Sequence, residues 1–381
     1  MQFTAEHNAF RDMVRTFVDK ELTPHVDEWE KAKIFPAHEV FKKAGDLGIL
    51  GIEYDEKYGG MGQDHIYTMI AVEEIGRMPC GGVPMAFGVQ MMMATPSLHK
   101  HGSHELKEKY LRPAIAGDMV TSIAVTEPDA GSDVAALRTR AVKDGDDWVI
   151  NGGKIFITSA TQSDWLCVLA RTSDEGGYRG MSQIVVERDS PGLQVVRKLE
   201  KYGMHSSDTA ELAFVDVRVP ISNTIGTEGR GFQQQMEQFV VERMFASYGK
   251  AESMQRALDK TAEYLKQRVI KGKPLIASDY VAYKLADLSA QIDVFRVHAN
   301  AMAEKFARGE DTTREATISK LIGARLAREV GDWCLQFHGG MGYMEDFWVA
   351  RHVRDTRLGS IGGGSDETML QVLARIDGFT P

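Results

Sequence analysis

The pattern of hydrophobic and polar positions divides the chain into three parts. Up to about residue 118, apolar residues recur every three or four positions, as in amphipathic helices, with breaks at turn residues such as Pro24 and Pro36. Between about 119 and 226, apolar and polar residues alternate, as in DDWVINGGKIFIT, and this period of two predicts β-strands. Long helical patterns then return and continue almost to the end of the chain.

These periods predict an α+β protein in three domains. We expect an N-terminal α-helical domain over residues 1–118, a middle domain of antiparallel strands in a barrel or sandwich over 119–226, and a C-terminal helical bundle domain over 227–381. No flexible linker separates them, so they are expected to pack as one body. Bundles of long helices often form oligomers, and the long helical patterns lie at roughly 229–268, 277–308 and 312–337.

Composition and charge narrow the class of partner and the compartment. The chain has 381 residues and a net charge of −9, from 45 Lys and Arg against 54 Asp and Glu, which argues against nucleic acid. No segment approaches the roughly 18 uninterrupted apolar residues of a membrane helix, and the amphipathic start differs from a signal peptide. Three scattered cysteines, Cys80, Cys167 and Cys334, favour a reducing compartment: a bacterial cytoplasm or, after processing, a mitochondrial matrix.

Two segments of the middle domain carry candidate ligand-binding residues. AVTEPDAGSD (residues 124–133) follows a strand with a turn whose hydroxyl and N–H groups can hold phosphate or the edge of a ring. The alternative is a plain capped loop, with Ser132 or Asp133 as the N-cap. In KIFITSA (residues 154–160), Phe156 and Thr158 share one strand face, and Phe156 either lies against a flat cofactor or belongs to the core.

Two glycine-rich segments of the C-terminal domain complete the set. QFHGGMGY (residues 336–343) ends a long helix with paired glycines, which permit close approach to a pyrophosphate or simply terminate the helix. SIGGGSDETM (residues 360–369) places three glycines before a helix start, where N-terminal amides can receive a phosphate. Three consecutive glycines cost conformational entropy, which disfavours a mere turn.

Two other kinds of site are disfavoured by what the sequence lacks. No G-x-G-x-x-G motif follows a strand in a βαβ unit, since residues 226–231 read G-x-x-G-x-G before a helix, and this argues against a Rossmann-type NAD enzyme. We expect His99, His101 and His104 to lie in a polar loop, and His338 stands alone. A zinc site is therefore not expected.

The four segments, in this order and in a helix-strand-helix layout, resemble the acyl-CoA dehydrogenase family, and its long-chain branch in particular. The resemblance covers essentially the whole chain and extends to GILGIEYDEKYGGMG (residues 48–62) and RDTRLGSI (residues 354–361). It implies a central β-barrel, a C-terminal four-helix bundle and assembly as a homotetramer or homodimer. It also implies FAD between barrel and bundle, with the adenine half reaching a neighbouring subunit.

The resemblance assigns FAD contacts to residues of both the middle and the C-terminal domains. Ser132 would also lie near the CoA arm. Near Arg268 the chain departs from the family pattern, because RVIKG (residues 268–272) stands in place of R-x-x-F-G and Asp279 stands where Gln is common. The implied FAD contacts are Val125, Thr126, Ser132, Phe156, Ile157, Thr158, Arg268, Gln336, Phe337, His338, Gly339, Gly340, Ser365 and Glu367.

The catalytic base is the decisive question for this resemblance. Removing a proton α to a thioester needs a carboxylate whose pKa is raised toward neutrality. Many family members carry a Glu where this chain has Gly363, but the long-chain and isovaleryl branches resemble this chain in lacking it and use a Glu-Arg pair on a bundle helix. That pair is Glu242-Arg243, and Glu242 lies at the margin of the helix's apolar stripe.

The resemblance therefore implies a complete reaction. Glu242 takes the α-proton, the N–H of Gly363 polarises the thioester oxygen, and the β-hydrogen leaves as hydride to FAD, giving an enoyl-CoA. Substrate contacts would include Ser132, Glu242, Arg243 and Gly364. We expect a medium-to-long or branched acyl-CoA as substrate, electron-transfer flavoprotein as partner, and no nucleic acid or integral membrane association. Two alternatives stay open: an oxygen-using monooxygenase or oxidase of the same fold, and an assembly protein that has lost the base.

Overall fold

Short helices fill the first part of the protein, whose computed structural model describes residues 1–380. The first helix begins with a capping box, in which Thr4 Oγ1 accepts from the His7 N–H and the Thr4 N–H donates to His7 Nδ1. The α-helices are α1 (Ala5–Phe17), α2 (Val26–Ala32), α3 (Ala37–Asp46), α4 (His65–Gly76), α5 (Gly82–Gly88), α6 (Thr95–His101), α7 (His104–Leu106) and α8 (Arg112–Ile115). Single π-helical turns follow α1, α5 and α7, at Val18–Leu22, Val89–Ala94 and Lys107–Leu111.

The middle of the chain forms one sheet, which has eight strands within residues 1–380. They are β1 (Thr121–Ala124), β2 (Arg140–Asp144), β3 (Asp147–Thr158), β4 (Trp165–Arg171), β5 (Met181–Glu187), β6 (Leu193–Lys198), β7 (Thr209–Pro220) and β8 (Thr224–Ile225). The strand order is β6-β7-β3-β2-β4-β5-β8, with β1 beside β4. The expectation of a purely antiparallel sheet is wrong, because β1 and one residue pair of β2 run parallel to β4. Alternation of side chains is the same in both directions, so it does not encode strand polarity.

Long helices form the last part of the fold. A hairpin of two short strands, β9 (Val269–Ile270) and β10 (Lys273–Pro274), joins the first long helix to the second. No helix within residues 1–380 is long and apolar enough to cross a membrane. The helices are α9 (Gly231–Gln267), α10 (Asp279–Ala307), α11 (Thr313–His338), α12 (Trp348–Arg357) and α13 (Asp366–Ile376), which confirms the predicted order of helices, strands and helices.

Helix α9 contacts both other parts of the protein and positions the candidate base between them. Its residues Met244, Phe245 and Tyr248 are buried in the core formed by the N-terminal helices. Earlier on the same helix, Phe232 and Phe239 pack against the cluster around Val125 at the edge of the sheet. Glu242 lies between these two contact regions, where helices and sheet meet.

The prediction of a polar loop around the clustered histidines is wrong. His99 and His101 lie in α6, and His104 begins α7 after a break at Gly102. Ser103 caps that short helix, since its hydroxyl accepts from the Leu106 N–H at 3.2 Å. Within residues 1–380, no group of three or more His, Cys, Asp and Glu is arranged to hold a metal ion.

Candidate active site

Phe156 is held in an unusual conformation near the end of β3, past the residues that pair with β2, and this margin of the sheet is called the sheet edge. The register between β3 and β7 shifts between Lys154 and Ile157, and this irregularity leaves Phe156 at φ +63° with 66 % of its surface exposed. A bulky residue at positive φ is strained, and such strain persists where the surrounding structure imposes it, often at functional sites. The alternative that Phe156 belongs to the core is therefore wrong, and its ring is available to a ligand.

The turn after β1 lies directly beside Phe156. The Ile155 N–H donates to the Thr126 carbonyl at 2.9 Å, which fixes the turn to the bulged strand. Val125 and Ile157 are buried, whereas Thr126 and Thr158 are half-buried and Ser132 is exposed. Of the two candidate caps in this turn, Asp133 takes the role, because its carboxylate accepts from the Ala135 N–H at 3.1 Å. The structure thus brings the predicted residues of the middle domain to one edge of the sheet.

A buried ion pair holds this edge together, and the sequence reasoning missed it. Lys154 Nζ lies 2.9 Å from Glu127 Oε1 and donates to the Val125 carbonyl at 2.8 Å, while Glu127 also accepts from the N–H groups of Arg138 and Thr139. Burial lowers the pKa of Lys154 to about 8 against the opposing charge of Glu127. A signal was present, because Lys154 has the same strand parity as the buried Trp148 and Ile150.

The candidate base, Glu242, faces Gly363, the position at which the resemblance would otherwise place a catalytic Glu. A Cβ atom built on Gly363, which has φ +65°, would lie 3.1 Å from Glu242 Oε1. The carboxylate thus occupies the space that a side chain at position 363 would enter. Burial raises the pKa of Glu242 to about 7, although Arg243 and Lys320 pull it downward. A carboxyl group with that pKa can take up a proton near neutral pH.

Lys320 is a second residue of this site that the sequence reasoning missed. Its ammonium donates to the Gly364 carbonyl. The side chain is buried against the turn formed by residues 358–364, called the glycine turn. Burial lowers the pKa of Lys320 to about 8. A helix begins after the glycines as expected: Ser365 caps α13, with its hydroxyl accepting from the Thr368 N–H at 3.2 Å, and Glu367 lies exposed in the first turn. The turn opposite Glu242 is therefore fixed from both ends.

Arg243 contacts helix α11 and forms no ion pair with Glu242. Its Nη1 lies 3.5 Å from Thr317 Oγ1, and its Nε is buried without a hydrogen-bond partner among residues 1–380. Burial lowers the pKa of this guanidinium, which Glu242 partly counteracts. Arg243 therefore contributes positive charge beside the base without pairing with it directly.

The remaining predicted residues form a separate group at the far end of α9. Arg268 Nη1 donates to the Tyr264 hydroxyl at 2.8 Å, and the Tyr264 ring stacks on His338 with ring centroids 4.3 Å apart. Arg268 follows Glu242 by 26 positions, or about 39 Å along a helix that rises 1.5 Å per residue. One chain therefore presents two distinct surfaces, and the predicted residues do not converge within it.

The backbone around this second group is open. Gly339 has φ +58°, with only Arg268 Nη2 within 4 Å of a Cβ built there, and Gly340 has nothing within that distance. Gln336 is exposed, whereas Phe337 and His338 are buried. The unusual RVIKG segment forms β9 and a tight turn in which Lys271 and Gly272 both have positive φ, the geometry of a type I′ hairpin.

The residues present fit the flavin dinucleotide that the resemblance implies. His338 Nδ1 donates to the Cys334 carbonyl at 2.6 Å, which leaves Nε2 as a buried acceptor with no partner among residues 1–380. Gly340 leaves its backbone uncovered, and Phe156 exposes an aromatic face in a strained bulge. A flat ring beside Phe156 and the polar groups of a dinucleotide beside His338 and Gly340 would satisfy these features, each on its own surface of the chain.

Comparison with known proteins agrees with this geometry. Three family models match successive parts of the chain: the acyl-CoA dehydrogenase N-terminal domain at residues 4–118, the middle domain at 122–217 and the C-terminal domain at 229–376. The mouse mitochondrial long-chain specific acyl-CoA dehydrogenase is 36% identical over 375 residues, covering 98% of this chain and 86% of the mouse protein.

Solved structures give the same result. A putative acyl-CoA dehydrogenase from Mycobacterium smegmatis superposes with a TM-score of 0.96 at 39% identity, covering 100% of this chain and 99% of the other. A glutaryl-CoA dehydrogenase from the same organism, solved in complex with FADH2, gives a TM-score of 0.92 at 26% identity, covering 99% and 96%. The chain belongs to the acyl-CoA dehydrogenase family, a family of FAD-dependent oxidoreductases that act on the CH–CH bond of acyl-CoA thioesters.

Proposed function

We propose that this protein oxidises the Cα–Cβ bond of an acyl-CoA to the trans-2-enoyl-CoA, with FAD as cofactor and Glu242 as catalytic base. The observation that carries the proposal is the position of the Glu242 carboxylate, 3.1 Å from where a Cβ of residue 363 would stand, in surroundings that raise its pKa to about 7. The alternative of an assembly protein without a base loses its support, because a carboxylate occupies the space that Gly363 leaves empty.

The chain's own groups account for proton removal and for charge stabilisation. Glu242 in its ionised form accepts the α-proton. Because its pKa is raised toward neutrality, the carboxylate is a stronger base, and proton transfer from the α-carbon costs less free energy. Negative charge then develops on the thioester oxygen, and we propose that the Gly363 N–H donates a hydrogen bond to it. Lys320 fixes the neighbouring carbonyl of Gly364 and so holds the turn still. Bound FAD supplies the acceptor for the β-hydrogen, which leaves with its electron pair.

The same proposal assigns the FAD contacts to the two surfaces described above. The sheet edge would hold the ring and the nearer phosphate through Val125, Thr126, Ser132, Phe156, Ile157 and Thr158. The Arg268 group lies about 39 Å from Glu242 along α9, so we propose that it serves the site of a neighbouring subunit in a homodimer or homotetramer. That second set would comprise Arg268, Gln336, Phe337, His338, Gly339 and Gly340. Ser365 and Glu367, at the start of α13 beside the turn opposite Glu242, would contact FAD from that turn.

Replacing Phe156 by alanine is expected to weaken FAD binding up to about tenfold. Aromatic stacking contributes about 0.5–1.5 kcal/mol beyond area burial, and 1.4 kcal/mol corresponds to a factor of ten. The FAD-free protein should change in stability by less than about 0.5 kcal/mol, because the ring is 66 % exposed. Fluorescence titration of apoprotein with FAD measures the effect. Tyr202→Ala removes another exposed ring, 67 % accessible, and should leave the FAD affinity unchanged.

The rate of substrate oxidation is expected to rise with pH through a midpoint near 7. Glu242 must be ionised to accept a proton, and burial raises its pKa to about 7 despite Arg243 and Lys320. Below the midpoint kcat/KM should therefore fall about tenfold per pH unit, and above it the curve should flatten. The profile is measured with an artificial electron acceptor that does not titrate in this range. A flat profile between pH 5.5 and 8.5 would contradict the assignment.

The electron acceptor and the acyl group are also part of the proposal. We propose electron-transfer flavoprotein as the acceptor, and a medium-to-long or branched acyl chain as substrate. Gly362 and Gly363 carry no side chains, so the turn opposite α9 adds no side-chain bulk near the reacting carbons. The oxygen-using alternative is tested by oxygen uptake during turnover. Uptake in proportion to substrate consumed, with no reduction of added electron-transfer flavoprotein, would favour that alternative.

A further inference from the structure

Lys250 is a half-buried cation on the same side of α9 as the candidate base. It follows Glu242 by eight positions, and its ammonium folds back to donate to the Ala246 carbonyl. Its stem fills space left by two glycines: Cδ lies 3.4 Å from a Cβ built on Gly323, and Cε lies 3.3 Å from one built on Gly359. The glycine turn thus faces α9 twice, with Gly363 opposite Glu242 and Gly359 opposite Lys250.

This lysine lacks the counter-charge that Lys284 and Lys305 of the bundle have. Lys284 lies 2.8 Å from Glu329 and Lys305 lies 2.7 Å from Glu315, but no carboxylate among residues 1–380 lies within 4.0 Å of the Lys250 ammonium. The charged group that acts on it is another cation, Lys320, and burial lowers the pKa of Lys250 to about 7. Keeping an unpaired cation inside a protein costs free energy, so a partner that arrives with the substrate would explain it.

Along α9, Lys250 and the sheet edge lie on opposite sides of Glu242. The sheet edge that carries Val125 packs against Phe232 and Phe239, which precede Glu242 on α9. With cofactor and CoA arm at the sheet edge, as proposed above, an acyl chain that continues past the base would run toward Lys250. Along the helix axis, Glu242 and Lys250 are about 12 Å apart, and the ammonium reaches back about one turn.

We infer that Lys250 is a specificity-determining residue whose ammonium receives a carboxylate at the far end of the acyl chain, so that the preferred substrate is a dicarboxylic acyl thioester of medium length. This inference rests on the proposed function and narrows its acyl group. A carboxylate at that point supplies the missing counter-charge and a hydrogen-bond acceptor in addition to the Ala246 carbonyl. An unsubstituted alkyl end would cover the cation without satisfying it, and it would be disfavoured for that reason.

The test compares acyl-CoA and ω-carboxyacyl-CoA pairs of equal carbon number, from five to twelve carbons, in the holoenzyme. We expect the native protein to favour the ω-carboxy member at one or more lengths by at least tenfold in kcat/KM. Lys250→Met should lower that ratio at least tenfold, whereas Lys250→Arg, which keeps the charge, should preserve a preference for the ω-carboxy member. Lys284→Met, which removes a lysine already paired with Glu329, serves as the control and should leave the ratio unchanged.

A binding measurement separates recognition from turnover. Calorimetric titration with a non-oxidisable ω-carboxyalkyl-CoA thioether should show at least tenfold weaker binding to Lys250→Met than to the native holoenzyme. Equal or better oxidation of every unsubstituted member by the native protein would overturn the inference and leave the proposed function intact. Failure of both members to be oxidised at any length would overturn both. Should Lys250→Met fold poorly, the preference of the native protein still decides, and Lys250→Gln provides the neutral comparison.

Discussion

Replacing Glu242 by glutamine is expected to slow the oxidation of acyl-CoA about 10²–10⁴-fold while FAD stays bound. Glutamine keeps the shape of the side chain but cannot accept the α-proton. The carboxylate lies against Gly363 and makes no contact that holds the fold together, so the variant should fold normally. Rapid mixing of oxidised holoenzyme with acyl-CoA under anaerobic conditions measures the rate. Turnover within threefold of the native rate would show that the base lies elsewhere.

The same geometry predicts that the base can be moved. A side chain at position 363 would enter the space of the Glu242 carboxylate, since the built Cβ lies 3.1 Å from Oε1. The double variant Glu242→Gly with Gly363→Glu should therefore be at least tenfold faster than Glu242→Gly alone. Recovery will be partial, because residue 363 has φ +65°, where a non-glycine residue costs on the order of 1 kcal/mol or more. Equal rates for the double and single variants would argue against a shared position for the two carboxylates.

Replacing Lys154 by methionine is expected to destabilise the protein by about 3–5 kcal/mol and to reduce its FAD content. The change leaves the Glu127 carboxylate buried without its cation, and an uncompensated buried charge carries a cost of that size. It also removes the bond to the Val125 carbonyl that positions the turn beside Phe156. Denaturant unfolding of the FAD-free protein, followed by the fluorescence of Trp148 and Trp165 in the sheet, measures the loss of stability.

A matched surface substitution provides the control for Lys154. Lys143 lies in β2 of the same sheet, 2.7 Å from Glu228, with 51% of its side chain exposed. Exposed ion pairs contribute about 0–1 kcal/mol, so Lys143→Met should shift the unfolding midpoint little and leave the FAD content unchanged. Equal losses for the two variants would mean that burial of the Lys154–Glu127 pair is not what stabilises the sheet edge.

The long elements of the fold were predictable because their periods repeat many times. The pattern placed a helix over roughly 229–268, and α9 spans Gly231–Gln267. Short elements were not: the segment around His99 and His104 reads as polar, yet burial of Leu98 and Leu106 and the Ser103 cap make it helical. The parallel pairing of β1 with β4 depends on a chain crossover that local alternation does not report.

The candidate site was predictable only as far as sequence motifs reach. The resemblance led to Glu242, but its approach to Gly363, which is 121 positions later, follows from the packing of α9 against the glycine turn. Lys154 and Glu127 are 27 positions apart, and each alone reads as an ordinary charged residue. Lys250 and Lys320 were missed for the same reason, because their burial depends on the glycines and carbonyls of other elements.

The measurement that tests the account most directly is an anaerobic titration of the purified yellow holoenzyme with acyl-CoAs of graded length, branching and terminal charge. The absorbance of oxidised flavin is followed, and the CoA product is identified. We predict bleaching by at least one class of acyl-CoA, with formation of the matching trans-2-enoyl-CoA. A protein that carries FAD but is bleached by no acyl-CoA would contradict the proposed dehydrogenation.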